Sequence, residues 1–295
     1  MRESFIISGF SDEICQPLEQ QLAVVTRLGM RHICLRSANG KGIAQYTPAE
    51  AREVLLPVLN GAGVTVTALG SAIGKIPLLD EEAFAAQLQQ LEQLCETGAV
   101  LGCKAIRMFS FYPPEGADPD TCRDEVLRKL ARFVEVAKKH GAVLLHENEK
   151  GIYGDTGARC RMLLDALGCE HFAAAFDFAN FVQCGEDPAA CWELLGAFTR
   201  DIHIKDALAA TGENVLCGTG DGQIAPLLEQ AFCRAGYRGP LTLEPHLTRF
   251  DFFAPGQGGS GKRVQFEAAR AADGAQGYEV QYHALQEFLN TFSPD

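Results

Sequence analysis

Eight short apolar or β-branched runs recur along the chain, with more polar stretches between them. They are FIISGF (5–10), HICLRS (32–37), VTVTALG (64–70), KAIRMFSF (104–111), AVLLHEN (142–148), AAAFDF (173–178), RDIHIK (200–205) and PLTLEP (240–245). Each has the length of a strand, and their largely continuous apolar character suits strands buried on both faces. Between the runs, Leu18, Leu22, Val25 and Leu28 follow helical spacing. So do Phe84, Leu88 and Leu91, then Val126, Leu130, Phe133 and Ala137, then Leu227, Leu228, Ala231 and Phe232. Amphipathic helices are predicted there. Gly29, Gly63, Gly102, Gly141, Gly168 and Gly236 stand where helix C-terminal caps belong, a few residues before the next strand. Pro57, inside AREVLLPVLNGAG, should kink or shorten the second helix.

Strands alternating with helices predict the α/β class with a parallel sheet, and eight successive units predict a closed (β/α)8 TIM barrel. One such domain would span residues 1–295. An open doubly wound sheet is the alternative, but it would carry a glycine fingerprint after the first strand, and GFSDEI has none. Phe250 to Gly277 breaks the pattern with Gly, Ala and charge, and reads as an irregular insertion before a last helix at Tyr278 to Phe292. It follows the last strand, on the catalytic face of a barrel, as either a lid or a solvated connection.

Composition narrows the partners. The chain has 295 residues, 47% hydrophobic and 22% charged, with 26 Lys and Arg against 38 Asp and Glu. The resulting charge of -12 argues against nucleic acid or anionic membrane as a partner and for a small-molecule substrate. Eleven scattered cysteines, an odd number without a Cys-x-x-Cys pair, predict free thiols in a reducing compartment. The start, MRESFIISGFSDEI, lacks a secretory signal, and no apolar run reaches the ~18 residues of a membrane span. The expected location is cytoplasmic. A homo-oligomer is compatible with the chain, although no residue marks an interface.

The last four runs share one feature: each ends in a metal-capable side chain, Glu147, Asp177, His203 and Glu244. An ionisable group at the end of a buried strand is costly unless it is paired or bound to an ion. The separations of 30, 26 and 41 residues are each about one strand-helix unit, so the four meet at the C-terminal ends of consecutive strands. Three carboxylates and one imidazole suit one divalent ion, Mn, Mg, Co or Zn, and do not suit a structural zinc site. A six-coordinate ion would keep two positions for a substrate carbonyl and its neighbouring hydroxyl, which stabilises an ene-diolate. Glu147 and Glu244 are then placed to remove and return a proton.

Strand parity adds Lys205 beside His203 and His246 beside Glu244 as side chains aimed at the substrate or held in ion pairs. Arg107 and Phe109 are candidates for the pocket, Arg107 also for a salt bridge inside the barrel. Glu149 reads as a brace paired with Lys150, and Asp155 or Thr156 as a helix cap. The loop CGTGDGQI, with Gly218, Gly220 and Gly222, is either a phosphate cradle or a tight turn capped by Asp221. His32, His140, His171 and His283 lie at strand starts, a helix end or the last helix, outside the site.

The strings LLHENEKGIYGD, FDFANFVQCG, HIKDA and GYRGPLTLEPHL, with FSDEI and KAIRMFSFY, resemble the sugar phosphate isomerase/epimerase family of xylose-isomerase-like barrels. The similarity runs from about Ser8 to His246. It implies that Glu147, Asp177, His203 and Glu244 bind the metal and that the two Glu act as acid and base. The chain departs from relatives at three places. Asn180 replaces a substrate-binding His, Ala209 replaces an Arg, and Cys34 replaces a Glu before Leu-Arg. Asn180 is therefore read as substrate-binding, with an altered substrate. The expected function is a divalent-metal-dependent isomerase or epimerase of a small sugar, sugar phosphate or hydroxy-keto acid. A dehydratase of the inosose dehydratase type and a non-catalytic sugar-binding module are the alternatives.

Overall fold

A computed structural model describes residues 5–248, 250–253, 263–266 and 273–291. Eight parallel strands form one sheet: β1 (Ile7–Gly9), β2 (His32–Leu35), β3 (Thr65–Ile73), β4 (Ala105–Met108), β5 (Val143–Glu147), β6 (Phe172–Asp177), β7 (Thr199–Ile204) and β8 (Leu241–Leu243). The pairing runs β1, β8, β7, β6, β5, β4, β3, β2, and the parallel bridge between Phe10 and Cys34 joins its two ends. The result is a barrel with its helices outside. All eight predicted strands are present. They form because βαβ crossovers bury both faces of a parallel sheet, which the apolar runs permit.

Side-chain parity sorts each strand into an inner and an outer face. Phe10, Cys34, Ala68, Leu145, Ala173 and Ala175 make a small cluster that fills the barrel, while the larger apolar core lies between the strands and the helices. Glu147 stands two residues after Leu145 and Asp177 two after Ala175, so both point inward. Register brings them level: Glu147 pairs with Ala175, Asp177 with His203, and His203 with Thr242.

The helices Leu18–Arg27, Glu81–Val100 and Arg123–His140 carry the predicted periodic residues. Five of the six predicted cap glycines take positive φ between 62° and 80°, and Gly168 lies near 17°. The irregularity at Pro57 is a change of pitch. A π-helical turn at Ala51–Leu55 precedes the α-helix Leu56–Ala62, with Pro57 in its first turn, where a missing N–H costs least. The last helix starts earlier than predicted, at Gly274–Thr291. Inside the stretch expected to be irregular, Phe250–Phe253 and Arg263–Phe266 pair as antiparallel strands. The rest of that stretch up to residue 272, and with it the choice between lid and connection, lies outside the described residues. Among those, no helix is long and apolar enough to cross a membrane.

Candidate metal centre

The four strand-end side chains converge. Ligand atoms of Glu147, Asp177, His203 and Glu244 all lie within 4.8 Å of one another, and all four residues are buried. His203 Nδ1 is the hub, 3.1 Å from Glu147 Oε1, 3.5 Å from Glu244 Oε2 and 3.8 Å from Asp177 Oδ2. Behind the ring, His203 Nε2 faces Asp201 Oδ2 at 4.0 Å, and Asp201 Oδ1 accepts the Thr242 hydroxyl at 2.7 Å. Parity extends this layering, because Asp201, His203 and Lys205 alternate along β7 and its end and stack up the barrel axis.

Cations close the side that faces β2 and β4. Arg107 Nη1 donates to Glu147 Oε2 at 3.1 Å, while its Nε and Nη2 donate to the carbonyls of Ser71 and Gly70. Arg36 donates to Asp12 at 2.8 Å and to Glu244 Oε1 at 3.2 Å. Both guanidiniums sit against the ring of Phe10, at 4.6 Å and 4.8 Å, and that ring is edge-on to His203. Lys205 Nζ lies 3.0 Å from Asp177 Oδ2 and 3.2 Å from Glu244 Oε2. Arg107 and Lys205 thus lie in the site, in ion pairs with the predicted ligands.

Asn180 is buried beside Glu147. Its side-chain amide donates to Glu147 Oε1 at 3.3 Å and to the Asn148 carbonyl at 2.8 Å, and its backbone N–H donates to Asp177 Oδ1, the cap of this short helix. Asn148 in turn exchanges two hydrogen bonds with the Asp177 backbone. His246 takes a left-handed φ of 49°, and its backbone N–H donates to Glu13. Its Nε2 faces Glu244 Oε1 and Glu13 Oε1 at 3.4 Å and 3.5 Å. Glu13, Glu244 and His246 form a second ligand-like trio. The Arg36 guanidinium reaches two of its members, so that trio already has its cation.

Two expectations are corrected. Glu149 pairs with Lys75, not Lys150. The glycine loop is a turn, but Asp206 organises it: Gly218, Gly220 and Gly222 N–H groups all donate to its carboxylate, and Asp221 accepts from the Ala209 N–H farther out. Thr156 is the helix cap, accepting from Arg159 N–H. Reading the sequence missed Arg36, Asp12, Glu13, Asp201 and Phe10. Asp201 was within reach, since the parity rule that selected Lys205 applies equally two residues before His203.

Charge crowding shows in the acidities. Burial pushes Asp177 up to about 7, with Lys205 opposing and Glu147 and Glu244 reinforcing. Burial acts the same way on Glu147, but His203 and Arg107 overcome it and hold that carboxyl down at about 2. Glu244 is held well below its usual range by Lys205 and His246, again against burial. Burial raises Glu13 to about 8 and lowers His246 to about 4. Lys205 is raised despite burial, through Asp177, Glu244 and Glu147.

The residues fit a divalent ion. Three buried carboxylates and an imidazole nitrogen offer one ligand atom each within 4.8 Å of one another, a hard oxygen and nitrogen set of the kind such an ion takes. Residues 22–292 match a recognised family, the xylose isomerase-like TIM barrel. The chain belongs to this family.

A 2-epi-5-epi-valiolone 7-phosphate 2-epimerase of an Actinoplanes species is 30% identical over 187 residues, which is 63% of this chain and 66% of that enzyme. The apo crystal structure of a 3-keto-D-glucoside 4-epimerase from E. coli superposes with a TM-score of 0.69 at 18% identity, covering 98% of this chain and 100% of the other. A family member from Mycobacterium smegmatis, in complex with magnesium, gives a TM-score of 0.69 at 15% identity, covering 99% and 98%.

Proposed function

We propose that this protein is a divalent-metal-dependent isomerase or epimerase. It would move a proton next to the carbonyl of a small sugar, sugar phosphate or hydroxy-keto acid. The observation that carries the reading is how Glu147 and Glu244 divide their oxygens. Each turns one oxygen to the His203 side of the ring and the other to an arginine, Glu147 Oε2 to Arg107 and Glu244 Oε1 to Arg36. The curated relative is an epimerase, which supports the reaction class.

Glu147, Asp177, His203 and Glu244 would hold the ion, which when bound polarises a substrate carbonyl and neutralises charge developing on its oxygens. The remaining work belongs to the chain. Arg107 and His203 keep Glu147 ionised, so it is ready to accept the proton from the carbon beside the carbonyl. The electron pair left behind gives an ene-diolate. Glu147 would return its proton to the neighbouring carbon in an isomerisation; in an epimerisation Glu244, across the ring and ionised at rest, would first take a proton from solvent and deliver it to the other face while Glu147 gives its own to solvent. Lys205, 3.2 Å from Glu244 Oε2, is placed to donate to a substrate oxygen. Asn180 fixes the Glu147 carboxylate by its bond to Oε1.

The test is solvent deuterium incorporation into ketoses, ketose phosphates and hydroxy-keto acids, read by proton NMR with added Mn or Mg. Glu147→Gln and Glu244→Gln should each abolish incorporation. A mutant exchanging at the wild-type rate would refute the two-carboxylate mechanism.

A further inference from the structure

We infer that Asn148 and Asn180 are positioning residues: together they clasp Glu147 to Asp177, fix the spacing of these two carboxylates, and so make the site selective for a small divalent ion. The inference rests on the proposed function only in taking Glu147 and Asp177 as ligands of that ion. It also moves Asn180 from the substrate to the ligand cage.

The clasp is a closed loop of hydrogen bonds between the ends of β5 and β6. Asn148 Oδ1 accepts the Asp177 N–H and Asn148 Nδ2 donates to the Asp177 carbonyl, both at 3.0 Å. From Asp177 the loop returns through Asn180, whose N–H donates to Asp177 Oδ1 at 2.7 Å at the start of the short helix Phe178–Gln183. The Asn180 amide closes it, with Nδ2 donating to the Asn148 carbonyl and to Glu147 Oε1. Its direction follows from its neighbours. A backbone carbonyl and an ionised carboxylate can only accept, so the NH2 end of the amide must face them. Both of its hydrogens are thereby committed, and neither is left to donate to a substrate.

Asn148 and Asn180 are 1% and 5% exposed, so breaking one of these bonds would leave a polar group unpaired away from water. That cost keeps the loop shut. Its effect falls on the two carboxylates. Asp177 has Oδ1 tied to Asn180 and turns Oδ2 to His203, while Glu147 has Oε2 tied to Arg107 and turns Oε1, steadied by Asn180, to the same ring. Carboxylates held in this way do not spread easily. A small ion such as Mg or Mn takes short bonds to few ligands, whereas Ca takes longer bonds in an adaptable shell, so a stiff pair favours the small ion.

Calorimetric titration with Mn and with Ca, on the native chain and on Asn148→Ala, Asn180→Ala and the double variant, tests the clasp. Each single variant should bind Mn about tenfold more weakly and Ca within about twofold of the native value, so the preference for Mn shrinks by about fivefold or more. The double variant should bind Mn about as weakly as either single one, because a loop already open loses little when cut again. Asn148→Ser and Asn180→Ser, whose hydroxyls leave less of the buried backbone unpaired, take the place of an alanine variant that does not fold. The inference is overturned if Mn affinity is unchanged, if Mn and Ca weaken alike, or if the two losses multiply in the double variant. Binding of neither ion by the native chain overturns it together with the metal-dependent function. Deuterium exchange on the same samples separates the two ideas. Mn binding indifferent to the clasp, with exchange intact, sinks this inference alone, whereas clasp-dependent binding without exchange into any ketose or hydroxy-keto acid sinks the proton-transfer reading alone.

Discussion

Lys205 and Asp177 form a buried ion pair, Nζ to Oδ2 at 3.0 Å, on an oxygen that also faces His203 Nδ1 at 3.8 Å. The ammonium would therefore compete with a cation held by the four proposed ligand side chains. Replacing it by an uncharged side chain of similar length removes that competition. Lys205→Met should bind Mn on the order of tenfold more tightly at pH 8, by calorimetry, given the size of Coulomb terms at this range. Weaker binding would mean that Lys205 organises the ligands and does not oppose the ion.

Asp177 also sets the pH range for loading. Its carboxyl is pushed up to about 7, and a carboxylate must lose its proton to ligate. His203 must also be neutral to ligate, and against burial its carboxylate neighbours Glu147, Glu244 and Asp201 keep it protonated well above the ordinary imidazole range. Affinity for the ion should therefore fall as pH drops by roughly tenfold per unit for each of the two groups that is protonated. Two protons should be released per ion bound at pH 6, one from Asp177 and one from His203. Calorimetry in two buffers of different ionisation enthalpy reads this number, and a value near one would contradict the assignment to Asp177.

His146 governs a separate acid sensitivity, on the outer face of β5. Burial lowers it to about 4, and its ring lies against Phe172. Its folded value is below the ordinary 6.5, so the unfolded chain takes the proton first as pH falls. Stability is full above pH 6.5 and drains away toward pH 4, about 2 kcal/mol being lost by pH 5. Urea midpoints should show that loss in the native chain. They should show less of it in His146→Gln, whose starting stability will be lower because the ring's packing is gone.

Gly70 is needed for its lack of a side chain. A Cβ there would lie 2.7 Å from Phe10 Cε1 and 2.9 Å from Arg36 Cβ. Gly70→Ala should cost about 1–3 kcal/mol of stability through overpacking. It should also weaken binding of the ion, because Phe10 supports both guanidiniums. An unchanged melting temperature would mean that the barrel interior gives way more easily than its packing indicates.

The eight strands were legible because burial on both faces leaves an apolar run, and the four candidate ligand side chains because each interrupts such a run near its end. Lys205 was legible by parity. Arg36, Glu13 and Phe10 were not, since their role arises only when the ends of β1 and β2 meet the end of β8 across the seam, more than 200 positions away for Arg36 and Glu244. Asn180 showed the other limit. Its position beside Asp177 was visible, but the turn of its amide toward Glu147 and Asn148 is set by the neighbouring strand. The Asp206 carboxylate at the glycine loop was hidden for the same reason, as the acceptor comes before the loop by more than ten residues.

Phe10 also makes the bridge to Cys34 where the barrel's first and last joined edges come together. Closing that seam and assembling the polar ring are thus a single cooperative event: until Phe10 is seated, neither arginine has its platform. A ligand held at the mouth acts as a latch on this join, and by mass action its binding energy adds to the resistance of the whole barrel to opening. The free protein should open first along the β1–β2 edge, and hydrogen exchange there should slow most when the site is filled.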